Sequence, residues 1–203
     1  MSLSPFLLLL LLLALVVSCC AHQQPGDDTT TFTKPDVNEN SNPVGGLSNA
    51  LTVVKTRVAV AREFLTAHNE IRSRFQVPPL KWDRKLARQA RRWANLRAAT
   101  DCDVHNHSGS GYGENQFWGF LDHWTPTKAV QNWASEYDFY DIKSNQCNPN
   151  QKCGHFTQIV WRTTERIGCA RVECKCSKGG WFVVCEYDPP GNYISSGPLD
   201  GGN

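Results

Sequence analysis

Histidine and cysteine are the residue types in this chain that could do chemistry, and their spacing restricts which chemistry is open to them. Of the six histidines, His22 lies close to the N-terminus, and the others are His68, His105, His107, His123 and His155. The sequence contains no HExxH motif, no histidine pair one helical turn apart and no glycine-rich phosphate loop. Gly111 follows Ser110, but the neighbouring residues do not form a G-x-S-x-G nucleophile elbow. Spacing alone therefore predicts neither a tight metal motif nor a conventional hydrolase.

The N-terminus predicts the compartment. Phe6 to Val17 is a leucine-rich run, and small residues follow it as far as Ala21. This is the pattern of a secretory signal peptide over residues 1–21, although no Lys or Arg precedes the run. An uncleaved anchor is the alternative, but a membrane span needs roughly 20 apolar residues, which is more than this run supplies. The sequence therefore predicts a secreted, extracellular protein.

Secretion predicts how the cysteines are used. Two of the nine cysteines, Cys19 and Cys20, fall in the signal peptide. The remaining ones are Cys102, Cys147, Cys153, Cys169, Cys174, Cys176 and Cys185. Disulfides are the usual fate of cysteines in an oxidising compartment, and an odd number leaves one thiol free or paired outside the domain. A zinc ribbon is disfavoured because Cys174 and Cys176 are too close together for its usual ligand pair.

Charge is distributed unevenly along the 203 residues. The net charge is +2, but residues 22–50 hold four acidic side chains and one lysine. A basic stretch follows later, with Arg84, Lys85, Arg88, Arg91, Arg92 and Arg97. We interpret this stretch as a solvated helix face, with attraction to an anionic cell-wall polymer or lipid as the alternative. Nucleic acid is not an expected partner, since no binding motif for it is present.

Hydrophobic spacing predicts helices in the first part of the chain. Residues 22–52 are polar and rich in Thr, Asn, Pro and Gly, which indicates a disordered leader. A helix is predicted from Arg57 to Phe75, with its inner face at Val60, Phe64, Ala67 and Ile71. Asp83 is the expected N-cap of a second helix whose inner face holds Leu86, Ala90, Trp93 and Leu96. Thr125 and Pro126 begin a third, with an apolar stripe at Val130, Trp133 and Tyr137.

The last third of the chain has the composition of strands. His155–Arg162, Ile167–Cys174 and Trp181–Tyr187 are rich in aromatic and β-branched residues, and Ser177–Gly180 supplies a turn. Helices followed by strands predict an α+β fold with an antiparallel sheet.

Six sequence strings occur in an order that is typical of one protein family. They are AHNEIR (67–72), GYGENQFWG (111–119), AVQNWASE (129–136), CGHFTQIVWR (153–162), GCARVEC (168–174) and CEYDPPGNY (185–193). By these strings the chain resembles the CAP superfamily of cysteine-rich secretory, antigen 5 and pathogenesis-related class 1 proteins, in its plant branch. The likeness extends from about Val58 to Pro198.

The resemblance implies an α-β-α sandwich, in which helices flank a central antiparallel sheet. The implied CAP domain covers residues 53–199, and residues 200–203 form a tail. The resemblance also implies the disulfides Cys102–Cys174, Cys147–Cys153 and Cys169–Cys185. Cys176 has no counterpart in the family and is the expected odd thiol.

The family cleft gathers two histidines and two glutamates. Carried over by motif, these are His107, Glu114, Glu136 and His155, with His105 as a weaker candidate. Two imidazoles and two carboxylates suit a divalent ion such as Zn²⁺, with water at the open positions, and a hydrogen-bonded cluster without metal is the alternative. A metal-dependent hydrolase would use metal-bound water with a glutamate as base, but we do not expect an enzyme.

The resemblance also implies lipid binding. Family members bind sterols near an aromatic loop that corresponds here to Tyr137, Phe139, Tyr140 and Ile142. We therefore expect a monomeric plant defence protein of the apoplast or cell wall that binds a sterol or other lipid and acts on microbes. The alternative for these aromatic residues is that they only cover the sheet. A microbial surface or cell-wall polymer is a further expected partner.

Two modifications are predicted near the cleft and at the C-terminus. Asn106-His107-Ser108 is a glycosylation sequon, so Asn106 is a candidate site. Plant relatives release a signalling peptide from a similar C-terminal pattern, which here would begin at Pro189. Glu186 and Leu199 depart from that pattern, and the tail's Pro and Gly content is equally typical of an inert terminus.

Overall fold

The computed structural model describes residues 44–120, 124–194 and 196–200, with side chains from residue 56 onward. The chain divides into two compact units, residues 1–47 and residues 48–203. The predicted signal peptide, the leader as far as residue 43, His123 and residues 201–203 lie outside the described residues. None of the described helices is both long enough and apolar enough to cross a bilayer.

Four α-helices are described. They are α1 (Val44–Arg74), α2 (Arg84–Thr100), α3 (Pro126–Ala134) and α4 (Gly154–Ile159). Asp83 caps α2 as predicted, because its side chain accepts hydrogen bonds from the backbone N–H groups of Lys85 and Leu86. Thr125 caps α3 in the same way, with Pro126 at the first turn. Helix α1 begins at Val44, well before the predicted start at Arg57.

Six strands form two sheets within the described residues. They are β1 (Lys81–Trp82), β2 (Gly113–Gly119), β3 (Tyr140–Asp141), β4 (Gln146–Cys147), β5 (Arg166–Glu173) and β6 (Trp181–Asp188). The larger sheet has the order β1-β5-β6-β2, and β3 pairs with β4 in a small separate sheet. All pairs are antiparallel except the two-residue contact between β1 and β5, which is parallel.

Side chains on β6 alternate between two hydrophobic cores. Val183 and Tyr187 face the core that contains residues of α1, α3 and α4. Phe182 and Val184 face the other core, against α2. The α2 helix approaches β5 closely because Gly168 has no side chain, and a Cβ there would lie 2.1 Å from the backbone nitrogen of Ala87. These two layers confirm the predicted α-β-α sandwich.

Some local predictions were wrong. Residues 155–162 were predicted to be a strand but form helix α4 and the turn after it. Phe156, Ile159 and Val160 are fully buried at helical spacing, so their aromatic and β-branched character reflects burial rather than strand pairing. Leu96 was placed on the inner face of α2 but is 55% exposed, and alanines on that helix are buried instead. Strand β2 was not predicted, because its glycines and polar residues carry no strand signal.

The three predicted disulfides are confirmed. Cys102–Cys174 joins the end of α2 to the residue after β5 across a separation of 72 residues. Cys169–Cys185 links directly paired residues of β5 and β6, and Cys147–Cys153 closes a separation of only 6 residues. Cys176 is free and half-buried.

Loop length predicts that these cross-links differ in their contribution to stability. Replacing both Cys102 and Cys174 by alanine should lower the free energy of unfolding by about 4 kcal/mol, because the bond restricts a long loop of the unfolded chain. Replacing Cys147 and Cys153 should cost only about 2 kcal/mol. Urea denaturation of the two double variants measures both values. A larger loss for the Cys147–Cys153 pair would contradict this order.

Candidate functional site

A cleft of about 350 Å³ brings together residues from three parts of the chain. His107 comes from the loop before β2, and Glu114 comes from the start of that strand. His155 comes from the first turn of α4. The cleft also contains Lys152 and Asn192. Three of the four residues predicted as metal ligands therefore line one cavity.

His107 and Glu114 form the first of two imidazole–carboxylate pairs. The Nδ1 atom of His107 lies 2.7 Å from Oε1 of Glu114. The Glu114 carboxylate is 5% exposed and also accepts the backbone N–H of Ser108, whereas the His107 ring is 64% exposed. Gly109 and Gly111 have positive φ angles of 65° and 78°, which let this loop turn back toward β2. The carboxylate therefore anchors the loop that carries His107.

Glu136 and His155 form the second pair. The Nδ1 atom of His155 lies 2.6 Å from Oε1 of Glu136, and Oε2 accepts the backbone N–H groups of His155 and Phe156 at 2.9 and 3.2 Å. Burial acts to raise the pKa of Glu136, but the hydrogen bond and charge of His155 and the two backbone donors outweigh it, so the pKa is lowered. The Glu136 carboxylate therefore caps the first turn of α4 in its ionised form. The His155 ring also stacks on Trp133, with ring centres 6.1 Å apart.

This geometry determines which nitrogen of each imidazole carries the proton. A carboxylate can only accept a hydrogen bond, so the proton of each imidazole is on Nδ1 and the Nε2 atom is left to bind a ligand. Carboxylates placed in this way orient metal-binding histidines. Within residues 44–120, 124–194 and 196–200, no group of three His, Cys, Asp or Glu side chains has the arrangement of a metal site. Of the four predicted ligands, the two imidazoles therefore keep a nitrogen that a divalent ion could bind.

His105, the weaker candidate, lies apart from the cleft. Its ring is 79% exposed and makes a close contact with the carboxylate of Asp103. Asn106, in the sequon, is exposed, and its side-chain amide lies 3.5 Å from Asp103. Its backbone carbonyl accepts a hydrogen bond from Gln116, so a glycan on the side chain would leave that contact in place. Glycosylation of Asn106 stays a prediction.

A network of buried hydrogen bonds lies next to the cleft. The Nδ1 atom of His68 donates to the Phe64 carbonyl, so its Nε2 atom accepts from the hydroxyl of Tyr187 at 2.8 Å. Asn115 donates to the same hydroxyl at 3.1 Å and to the His155 carbonyl at 3.0 Å. Burial lowers the pKa of His68 to about 4, which keeps this imidazole neutral. The network connects helix α1 to the backbone of a cleft histidine.

Sequence reasoning missed the role of Glu186. This side chain is fully buried and lies directly opposite Glu114 in the pairing of β2 with β6. Ser108 and Ser110 donate hydrogen bonds to its two oxygens at 3.2 and 2.9 Å. Burial, followed by the charge of Glu114, raises the pKa of Glu186 to about 7. The alternation along β6 was the sequence signal that could have placed Glu186 beside the cleft loop.

The predicted lipid-binding residues follow α3. Ser135–Phe139 forms a 3-10 helix in which Tyr137 is 45% exposed and Phe139 is 40% exposed. Tyr140 is half-buried, and its ring packs on Phe156 at 5.9 Å. Ile142 is half-buried in the turn between β3 and β4. The structure therefore separates two exposed aromatic residues from Tyr140, which also packs against the core.

The C-terminal segment is held against the domain. Asp188 pairs with Arg166 at 2.8 Å, and the Pro189 carbonyl accepts a hydrogen bond from Thr164 at 2.9 Å. Pro198 is buried farther along the tail. Cleavage between Asp188 and Pro189 would require local opening of these contacts, because proteases act on exposed chain. Release of a peptide beginning at Pro189 stays a prediction.

Comparison with known proteins defines the class to which this fold and cleft belong. The model of the CAP family, the cysteine-rich secretory protein family, matches residues 65–187. The structure resembles that of venom allergen-like protein 4 of Schistosoma mansoni, with a TM-score of 0.54 and 26% identity, over 66% of this chain and 90% of that one. Na-ASP-1 matches with a TM-score of 0.56 and 25% identity, over 82% of this chain and 46% of that one. The chain belongs to the CAP family.

Within this family the similarity is to plant proteins. Pathogenesis-related protein 1C of Nicotiana tabacum is 47% identical over 138 residues, which cover 68% of this chain and 79% of that protein. Pathogenesis-related protein PR-1 type of Sambucus nigra is 42% identical over 151 residues, 73% of this chain and 89% of that protein. These similarities place the chain in the plant pathogenesis-related protein 1 class. Members of this class are typically secreted and are generally not classical enzymes.

The buried carboxyl of Glu186 predicts a pH-dependent stability. Its pKa is raised from 4.5 to about 7 in the folded protein. The protonated carboxyl therefore adds to the free energy of unfolding below pH 4.5, and this contribution is lost as the pH rises through 7. The Glu186→Gln variant lacks this loss and should gain stability relative to the wild type with rising pH, by up to about 3 kcal/mol above pH 8. Urea denaturation from pH 4 to 8.5 measures the difference.

Glu173→Gln is the matched control, because Glu173 is exposed at the end of β5. Its stability profile should run parallel to that of the wild type. A constant difference between Glu186→Gln and the wild type over the whole pH range would contradict the assignment.

Proposed function

We propose that this protein is a secreted plant defence protein of the apoplast or cell wall that binds a sterol or related lipid and thereby inhibits microbes. The observation that carries the proposal is that both Tyr137 and Phe139 of the 3-10 helix are exposed, at 45% and 40%. Large aromatic side chains are usually buried, and several exposed ones in one short segment are typical of binding surfaces.

The surroundings of this pair suit a rigid, flat apolar ligand. The ring of Tyr137 packs on Phe75 and Phe156, each with ring centres 5.2 Å apart, so one edge of the surface continues into the core. The segment that follows is closed by the Cys147–Cys153 disulfide, which limits its rearrangement. A preformed aromatic surface loses little conformational entropy on binding.

Removing the two exposed aromatic side chains should weaken sterol binding. The double variant Tyr137→Ala/Phe139→Ala should bind ergosterol and cholesterol at least about tenfold more weakly, because burying one aromatic side chain contributes about 1.5–3 kcal/mol. Equilibrium binding of radiolabelled sterol measures this. Phe120→Ala is the control, because Phe120 is 60% exposed in another part of the fold.

Sterol binding would be excluded if the wild-type protein bound neither sterol at micromolar concentration, or if the double variant matched Phe120→Ala. The antimicrobial part of the proposal has its own readout. Growth inhibition of a sterol-dependent microbe should disappear when the protein is loaded with ergosterol beforehand, and inhibition that survives loading would exclude a sterol mechanism.

We also propose that the cleft binds a divalent metal ion such as Zn²⁺ through the Nε2 atoms of His107 and His155. The support is that the carboxylates of Glu114 and Glu136 engage both Nδ1 atoms, while the two histidines line one cleft. Glu114 and Glu136 then act as positioning residues rather than ligands. Bound metal would supply Lewis acidity to this cleft.

Zinc titration of variants separates ligands from positioning residues. His107→Ala and His155→Ala should each remove most of the binding, whereas Glu114→Gln should weaken it by about 10–100-fold. Binding by the wild type should also weaken as the pH falls, because imidazole must be deprotonated to bind metal. Calorimetry measures these affinities, and His105→Ala serves as the control. Wild-type affinity in the double variant His107→Ala/His155→Ala would remove the site from consideration.

A further inference from the structure

Helix α2 carries a row of cations on its solvent-exposed side. The row consists of four exposed residues in the first half of the helix, Arg84, Lys85, Arg88 and Arg92. Side chains three or four residues apart are neighbours on a helix, so Arg88 adjoins each of the other three. At 1.5 Å per residue, the row extends about 12 Å along the helix axis. These four residues are called the basic face below.

The charges of the basic face act against the helix that carries them. Like charges one turn apart destabilise a helix, and α2 contains no Asp or Glu that could offset them. The positive end of the helix dipole disfavours cations in the first turn, and yet Arg84 and Lys85 occupy it. In the part of the chain that the structure describes, none of the four makes an ion pair with a carboxylate. The repulsion is therefore not compensated within that part of the domain.

Arg97 provides the contrast, because it has the features of a structural cation on the same helix. It lies in the last turn, where the helix dipole favours a positive charge, and its side chain is only 11% exposed. Its Nη2 atom lies 2.7 Å from Oδ1 of Asp101. On the basic face, Arg92 instead donates a hydrogen bond at 3.0 Å to the neutral side chain of Gln89. Departures from local rules without a gain in packing are typical of functional surfaces.

We propose that the basic face binds a linear acidic polysaccharide of the polyuronate class. A row of exposed cations is complementary to a chain that carries a carboxylate on each sugar, and binding would relieve the repulsion among the cations. The sequence leaves two interpretations of this stretch open, a solvated helix face and attraction to an anionic partner. The unfavourable placing of Arg84 and Lys85 and the absence of acidic residues from α2 favour the second.

An anionic membrane is the less suitable partner for this surface. Helices that bind membranes through a basic face also insert large apolar side chains into the bilayer. Ala90, Ala94 and Ala98 of α2 are instead buried in the core against β5 and β6. Within the described residues Arg84–Thr100, Leu96 is the one large hydrophobic residue that is exposed. The basic face therefore offers charge without an apolar anchor.

The proposal rests on the secretion that is proposed above, but not on the sterol or zinc sites. The basic face shares no residue with the 3-10 helix that carries Tyr137 and Phe139 or with the cleft that contains His107 and His155. Sterol and zinc binding are measured with other ligands and other variants. Either of those sites can therefore fail without affecting the polysaccharide proposal, and the reverse also holds.

Calorimetry of the full chain with polygalacturonate tests the proposal. The wild type should bind at low ionic strength, and Arg88→Gln/Arg92→Gln should bind at least about fivefold more weakly, because it removes two of the four cations. Binding should also weaken as the ionic strength is raised to about 0.15 M, at which charges are screened beyond about 8 Å. Arg74→Gln/Lys143→Gln is the matched control, because it removes two exposed cations outside α2. It should bind within about twofold of the wild type.

Thermal unfolding separates a binding role from a structural one. Gln has nearly the helix propensity of Arg, and the substitutions remove like-charge neighbours. The Tm of Arg88→Gln/Arg92→Gln should therefore equal or exceed that of the wild type. A lower Tm for this variant than for the control would mean that these cations support the fold, and it would contradict the proposal.

Two further ligands decide the class of the partner. Fully methyl-esterified polygalacturonate has the same backbone without the charge, and it should not bind. Equal affinity for the esterified polymer, absence of polygalacturonate binding by the wild type, or an equal loss in the control variant would overturn the proposal. Binding to phosphatidylserine vesicles that Arg88→Gln/Arg92→Gln abolishes, while its polygalacturonate binding stays unchanged, would identify a membrane surface instead.

Discussion

The alternation of side chains along strand β6 is the constraint on which both cores and the cleft depend. β6 lies between β5 and β2, so its side chains are enclosed by two neighbouring strands and by a helical layer on each face. Tyr187 on one face holds the network that reaches His155. Glu186 on the other face is brought opposite Glu114 by the pairing with β2. A slip of one residue would exchange the two faces and dismantle both arrangements.

The cleft is organised by carboxylates more than by imidazoles. Glu114 anchors the loop of His107, and Glu136 caps the first turn of α4 while orienting His155. In each pair the carboxylate is less exposed than the ring that it orients, at 5% against 64% for Glu114 and His107 and at 15% against 32% for Glu136 and His155. The imidazoles are thereby presented to the cavity with one nitrogen already engaged, which is preorganisation for any ligand that binds there.

The sequence by itself determined the features that depend on near neighbours. The caps of α2 and α3 lie within one turn of the groups that they bind. The disulfide partners are farther apart in sequence, and the motif resemblance identified them correctly. Tertiary structure alone decided that residues 154–159 are helical, because a fully buried segment has the same apolar composition in a helix or a strand. It also decided the ionisation of Glu186 and the placing of Glu136 behind His155. Both depend on desolvation and on partners distant in sequence, which local composition does not record.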